Sequence, residues 1–509
     1  MAACLLLPQT AGAHASLTNA SPAPGAQLDS SPGQVVLTFN ERLENKLFEL
    51  QVFDQNGELV TNQPAALSEN QSEISVALPR LPDGIYTVTY SVISADGHPI
   101  AESYIFSIGQ LMSAQPSIEE RSGSNMDGRQ LLVYSSRTVY FLSLLLLVGW
   151  IFWGIAGRTD NKAIRETYSC WLLRLQRLFM LSLLFMVAMH LPEYMEEWDP
   201  AKLTTLLFGS AIGASWLSSL ILSLLSFVWL GRTKWMDGLW ILLVLAAKTF
   251  NGHAMAFEPV YRTIILDGAH LLAAAVWSGG LFYLVVHWRK HPEHRVEFLP
   301  KFSKFAFLSI AALTVTGISS ALIFLPSIKY LQYTEWGTLF IVKCVLVVIV
   351  IIAGAILRWL LKRKKRHIGM MVKADFSLML LIVIIASIFT SLNPRPANEP
   401  LSWHVMGESM HMTTSISPKT PGNNRFSVVL WITEGSAVPK KVNLYLQYED
   451  DQKIAPIEVP LEPSLTENGQ YSFSAEGPYL PFAGKWMVEL RVLDSDDDET
   501  VYHHKIMVY

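Results

Sequence analysis

His14 follows Ala11-Gly12-Ala13, the small-residue pattern that a signal peptidase cuts. Cleavage there leaves a chain beginning with histidine, whose free α-amine and imidazole chelate a metal from a single residue. Asp96-Gly97-His98 adds a carboxylate and a second imidazole. Donors rich in nitrogen, with one oxygen and able to lie in a plane, suit Cu(II) better than calcium or magnesium. A filled tetragonal plane suits storage or delivery rather than redox turnover. Each donor must be deprotonated, so affinity is expected to fall as pH drops through the histidine range. Singly these residues are ordinary, since Asp-Gly is a common turn pair. Their combination with an N-terminal histidine points to a metal.

Softer donors recur farther along. Lys248, Asp267, His270 and Lys343 are ionisable residues inside apolar segments, where such groups are costly and usually functional. Asp267 and His270, three apart, share a helix face. His253 and Met255 close one apolar segment, and Met186, Met189 and His190 close another. Imidazole with thioether suits Cu(I). The same methionines are also ordinary packing residues, and Lys248 is placed to pair with Asp267 structurally. His404, Met406, Met410, His411 and Met412 form a third soft group just past the last apolar segment. It reads either as a Cu(I) station at the membrane surface or as an early strand with incidental methionines. Trp277 and Gly279-Gly280 read as packing, because small residues let helices approach.

The elements that must position these residues are those of a membrane protein with soluble attachments. Of 509 residues, 51% are hydrophobic and only 16% charged. The net charge of -4 gives no sign of nucleic acid. Three cysteines rule out a disulfide framework or a Cys-rich metal motif. Residues 1–13 read as a truncated signal peptide, with an apolar core but no basic start. Residues 14–110 alternate in short strands separated by turns such as Asn56-Gly57, which predicts an all-β Ig-like or Greek-key sandwich. A polar linker, 111–130, follows.

Within 131–395, eight spans are expected at 131–156, 171–191, 204–231, 236–256, 262–287, 304–326, 338–361 and 375–392. Basic residues gather in every odd connection, for instance Arg289, Lys290, Arg295 and Lys301, whereas Glu193, Glu196, Glu197 and Asp199 mark an even one. Positive loops stay cytoplasmic, so both termini are expected outside a plasma membrane. Residues 396–509 read as a second, Ig-like β-sandwich.

From His14 to Gly109 the chain resembles the CopC family of periplasmic copper-binding proteins. The resemblance rests on His14-Ala15-Ser16-Leu17, on Ser21-Pro22-Ala23-Pro24-Gly25 and on Ser94-Ala95-Asp96-Gly97-His98-Pro99. It implies a Cu(II) site of His14 (amine and ring), Asp96 and His98. The helical part resembles the CopD family, through the run from His270 to Gly280 and the closing Ser391-Leu392-Asn393-Pro394-Arg395-Pro396. The last part is similar to YtkA-like domains. The order of the three resembles the YcnJ-like CopC/CopD fusion copper transport proteins.

The expected function is a copper-binding membrane transporter that imports copper captured as Cu(II), not an enzyme. Its expected partners are the copper ion, the lipid bilayer and an extracytoplasmic copper donor or reductase. No flavin or haem pattern supplies the reduction to Cu(I), and no nucleotide-binding loop supports ATP-driven pumping. Two alternatives stay open: a resistance protein that sequesters copper without uptake, and a copper oxidase built on the N-terminal histidine.

Overall fold

The computed structural model describes residues 17–28, 30–61, 63–109, 128–157, 161–195, 198–288, 290–325, 328, 330–362, 368–392, 394, 398, 400–406, 410–432, 437–450, 453–467 and 470–509. The expected leader, His14 and most of the linker lie outside the described residues.

Alternating strands build the first domain: β1 (Leu17–Ser21), β2 (Gln27–Leu28), β3 (Gln34–Phe39), β4 (Leu43–Phe53), β5 (Ala66–Leu67), β6 (Glu73–Ala77), β7 (Gly84–Ser94) and β8 (Pro99–Ile108). They form two sheets ordered β1-β3-β6-β5 and β2-β8-β7-β4. Tyr86, Val88, Tyr90 and Val92 of β7 point inward, where they join Val35, Leu37 and Phe39 of β3 in one core. The β7–β8 hairpin carries the Asp-Gly-His motif on its loop. Ser94 N–H donates to the His98 carbonyl at 2.9 Å, and Gly97 N–H donates to the Ser94 carbonyl at 2.9 Å. Gly97 sits at φ +101°, a conformation that side chains disfavour and that closes this short loop.

The helices are α1 (Gly128–Ala156), α2 (Lys162–Tyr194), α3 (Pro200–Gly209), α4 (Ala211–Trp229), α5 (Lys234–Thr249), α6 (His253–Ala256), α7 (Val260–His287), α8 (Pro292–Phe324), α9 (Tyr330–Tyr333), α10 (Glu335–Lys362) and α11 (Ile368–Phe389). Among the described residues, seven are long and apolar enough to cross a membrane, against eight expected. Two of the expected spans are broken: the first break shortens a span to α4, and the second removes one from the count. The expected 204–231 span is two helices, because Ser210 turns extended and its hydroxyl accepts the Gly213 N–H at 3.0 Å, capping α4. The expected 236–256 span stops at Thr249 and resumes as the single turn α6, with Gly252 at φ +133° between them.

The bundle closes on α1, which packs against α2, α5, α7 and α11. Where α1 crosses α7, a Cβ on Gly149 would overlap the Ala275 carbonyl oxygen and lie 2.6 Å from the Gly279 Cα. The indole of Trp153 donates to the Val276 carbonyl at 2.9 Å beside this crossing. Leu181, Ile221, Val315, Leu322 and Val348 point outward as exposed apolar side chains, as a surface solvated by lipid requires.

The last domain is a second sandwich. Its strands are β9 (Leu401–Met406), β10 (Met410–Ser417), β11 (Gly422–Ile432), β12 (Pro439–Tyr448), β13 (Ile457–Val459), β14 (Glu462–Glu467), β15 (Gln470–Leu480), β16 (Gly484–Asp494) and β17 (Glu499–Val508). The sheets run β14-β15-β11-β10-β9 and β13-β12-β16-β17, over a core that includes Phe426, Leu446 and Trp486. The chain end is tied back to the domain entry. Asn398 donates to the Tyr509 carbonyl and accepts its N–H, each at 2.8 Å.

The first domain is seated on one end of the bundle. The Glu44 carboxylate accepts the Ala211 N–H at the start of α4. The Arg42 guanidinium reaches the Met255 carbonyl at 3.5 Å and the Glu258 carboxylate at 3.8 Å. Burial pushes the Glu44 carboxyl above its usual value of 4.5, outweighing hydrogen bonds from Ala211 and Ile212 that act the other way. A raised acid favours the fold fully below its ordinary value and loses that contribution as pH rises through the folded one. Glu44→Gln keeps an acceptor for Ala211 and removes the charge. It should therefore raise the melting temperature of the purified chain at pH 7 and leave it unchanged near pH 4.

Candidate metal centre

Asp96 and His98 lie on the hairpin loop that faces the bundle. The His98 Nε2 is 3.9 Å from an Asp96 carboxylate oxygen, and their side chains are 17% and 5% exposed. Ser94 holds the pair: its hydroxyl donates to Asp96 and accepts the His98 N–H at 3.0 Å. A carboxylate and an imidazole are thus brought together on one hairpin loop, with Ser94 fixing the Asp96 carboxylate and the backbone at His98. His14, which the sequence assigns to the same site, lies outside the described residues. Among those residues, no three His, Cys, Asp or Glu side chains already converge as a ready metal site.

The loop is seated directly on the end of α2. The Tyr194 hydroxyl donates to the Gly97 carbonyl. The Ile212 side chain sits 3.3 Å from where a Cβ on Gly97 would stand, so the loop and the bundle touch without a gap. One turn farther into the bundle, His190 is buried at 7% exposure and lies within electrostatic range of His98. Its Nδ1 is 2.9 Å from the Met186 carbonyl. A carbonyl only accepts, so that nitrogen carries the proton and Nε2 of the neutral ring holds the lone pair. Arg137 of α1 lies beneath the loop, donating to the Thr390 carbonyl at 2.9 Å, with Glu193 and Asp96 in electrostatic range. An acidic and basic pair thus lies beside the imidazole.

A CopC domain model matches residues 17–109, and a model described as Copper resistance protein D, CopD, matches residues 296–389. The chain belongs to the CopC–CopD fusion proteins. The Copper transport protein CutJ of Bacillus subtilis (strain 168) is 28% identical over 467 residues, covering 86% of this chain and 85% of CutJ. Protein YobA of Escherichia coli (strain K12) is 35% identical over 98 residues, 19% of this chain and 79% of YobA. Among solved structures, CopC from Methylosinus trichosporium OB3b is 28% identical, with a TM-score of 0.18, and covers 20% of this chain and 100% of its own. These are copper transport and resistance families rather than enzymes. The CopD match begins inside α8, so the run from His270 to Gly280, quoted above for the resemblance, lies outside it.

The CopD-side residues are spread through the bundle rather than gathered. His270 on α7 bonds Thr316 Oγ1 on α8 at 2.8 Å. The Thr316 hydroxyl donates to the Ala312 carbonyl at 2.7 Å, so His270 donates through Nδ1 and keeps its lone pair on Nε2. Asp267 has Lys248 and Lys343 as electrostatic neighbours, which favours the structural pairing over a ligand role. Lys248 also donates to the Asn251 carbonyl at 2.5 Å. Met189 is half-buried beside His190. Met255 lies on α6 with its carbonyl turned to Arg42 of the CopC domain. His253 begins the same short helix. Gly279 and Gly280 pack against Gly149 and Phe302, as their size predicts.

In the C-terminal domain the five soft residues divide between two faces. His404 and Met406 are exposed on β9, and His411 stands opposite Met406 on β10, with the two rings 6.4 Å apart. Met410 and Met412 alternate to the other side and are 8% and 0% exposed, inside the sandwich core. The structure therefore leaves His404, Met406 and His411 together and removes the two buried methionines from that group. A strand's period of two decides this, and the sequence alone did not show the register. The Trp431 indole flanks His404, with ring centroids 6.3 Å apart.

Proposed function

We propose that the chain imports copper: the CopC domain takes Cu(II) outside the cell, and the ion, once reduced there to Cu(I), passes to the outer end of α2. The observation that carries this reading is the seat of the Asp96–His98 loop on Tyr194, with His190 one turn inside. The Cu(II) ligands are His14, through its amine and ring, with Asp96 and His98. His190 takes the ion from His98, and His270 continues the path inward. Met189, Met255 and His253 border its entrance, and Asp267 balances Lys248 and Lys343 beside it. The His404, Met406 and His411 face is an auxiliary Cu(I) station, and reduction of Cu(II) falls to a separate extracytoplasmic reductase. The end of the bundle that carries both β domains faces outward, because the opposite end carries Lys162, Arg232, Lys234, Lys290 and Lys301. The names Copper transport protein CutJ and Copper resistance protein D support copper as cargo.

His190→Ala tests the handover. Losing the receiving imidazole should lower whole-cell copper uptake by roughly 10–100-fold while leaving Cu(II) binding to the CopC domain unchanged. Uptake at the unmodified rate would remove His190 from the path. Raised copper tolerance without any accumulation above a deletion strain would favour sequestration instead.

A further inference from the structure

At the end of the bundle opposite the CopC domain, three histidines gather that the handover does not use. His287 ends α7, His291 precedes α8 and His294 lies in its first turn. The His287 ring centroid is 5.5 Å from that of His291 and 5.6 Å from that of His294. Three imidazoles on one metal stand roughly 5–6 Å apart, from metal–nitrogen bonds of about 2.0–2.1 Å plus half a ring on each side. The two separations from His287 fall in that range, although the three rings do not yet converge on one point.

The hydrogen bonds prepare two of the rings. His287 Nδ1 lies 3.0 Å from the Tyr283 carbonyl and must carry the proton. Its Nε2 is then a lone pair, and it is buried without a hydrogen-bond partner in a side chain only 1% exposed. A buried polar atom left unpaired carries a cost that a ligand would remove. The Thr167 hydroxyl donates to the Ala163 carbonyl at 3.0 Å, so it accepts from His291 Nε2 at 3.2 Å. That leaves the lone pair of His291 on Nδ1. His294 Nε2 rests 3.0 Å from the Tyr283 hydroxyl. His291 and His294 are both half-buried, and turning their rings toward His287 closes the set.

We infer that His287, His291 and His294 form a three-imidazole site for a soft monovalent cation, Cu(I), at the inner mouth of the bundle. The choice of cation rests on the copper reading above. Lys290 and Lys301 lie near these rings and the Glu297 carboxylate lies beside His294, so the local charge is mixed. Imidazole is an accepted ligand for copper, and three such donors suit its low coordination number. The His287 nitrogen is the fixed ligand, while the two rings nearer solvent let the ion leave.

The test uses the full purified chain, titrated anaerobically with Cu(I) against a chromogenic competitor. His287 is deep in the packing, so the variant is H291Q/H294Q, which leaves it in place. The expected result is one Cu(I) equivalent fewer than in the unmodified chain, together with an unchanged Cu(II) spectrum from the CopC site. X-ray absorption of the unmodified chain should show a nitrogen shell that shrinks in the variant. Equal Cu(I) equivalents in the two proteins would overturn the site, as would displacement of the bound Cu(I) by equimolar Zn(II). Neither readout involves uptake. A failure of import thus leaves the titration intact, and a failed titration leaves import to be measured separately.

Discussion

One extra residue ahead of His14 should lower Cu(II) affinity by at least about a hundredfold if His14 is the proposed ligand. Loss of a group that merely orients a metal ligand costs about 10–100-fold, and the extra residue removes two donors by converting the amine to an amide and displacing the ring. His98→Ala should fall in the same range, because the Ser94–Asp96–His98 arrangement offers no second imidazole on the loop. Competition titration of the full chain with a free His14 amine, beside the extended and His98→Ala forms, gives the comparison. A tetragonal Cu(II) spectrum confined to the first protein is the expected outcome. Equal affinity in all three would remove the N-terminal chelate, and the capture step with it.

Gly149→Val should unfold the bundle. A Cβ at this position runs into the backbone of Ala275 and Gly279, and backbone cannot turn aside as a flexible side chain can. Overpacking costs about 1–3 kcal/mol where neighbours can shift, so this site belongs at or above the upper end of that range. The loss also reaches Trp150, whose ring stacks on Tyr168 and lies 5.9 Å from His287, since it is the next residue on α1. Gly354→Ala on α10 is the control. No atom lies within 4 Å of its new Cβ, and alanine there should stabilise the helix by up to about 1 kcal/mol. Thermal unfolding in detergent separates the two. A Gly149→Val protein that melts with the unmodified chain would mean that α1 and α7 do not meet at this crossing.

Both β-sandwiches were legible because half-buried strands write their faces into the sequence. The Tyr86, Val88, Tyr90 and Val92 alternation needs no tertiary information. The pair Asp96 and His98 was legible for a related reason, since a hairpin loop keeps neighbours in sequence close in space. The break at Ser210 was hidden, because apolar residues continue on both sides and only the cap and the Glu44 contact interrupt the helix. Met412 looked like a ligand because composition says nothing about register, and its pairing with Val405 and Leu430 puts it in the core. His287, His291 and His294 were passed over for another reason. They straddle a helix end, a basic turn and a helix start, so no single periodicity joins them, and the turn read as a topology signal alone. Their spacing of four and three residues was the available clue.

His190, His270 and His287 share one device: each gives its Nδ1 proton to an oxygen of the protein and keeps Nε2 for something else. Ligands of that kind are uncharged, so a Cu(I) ion passed between them keeps its whole positive charge from one face of the bilayer to the other. If the chain imports copper as proposed, each ion taken inward is a small current. An inside-negative membrane contributes about 2.3 kcal/mol per 100 mV to every such crossing. Under that proposal the resting voltage of the cell would act as a motor for the crossing.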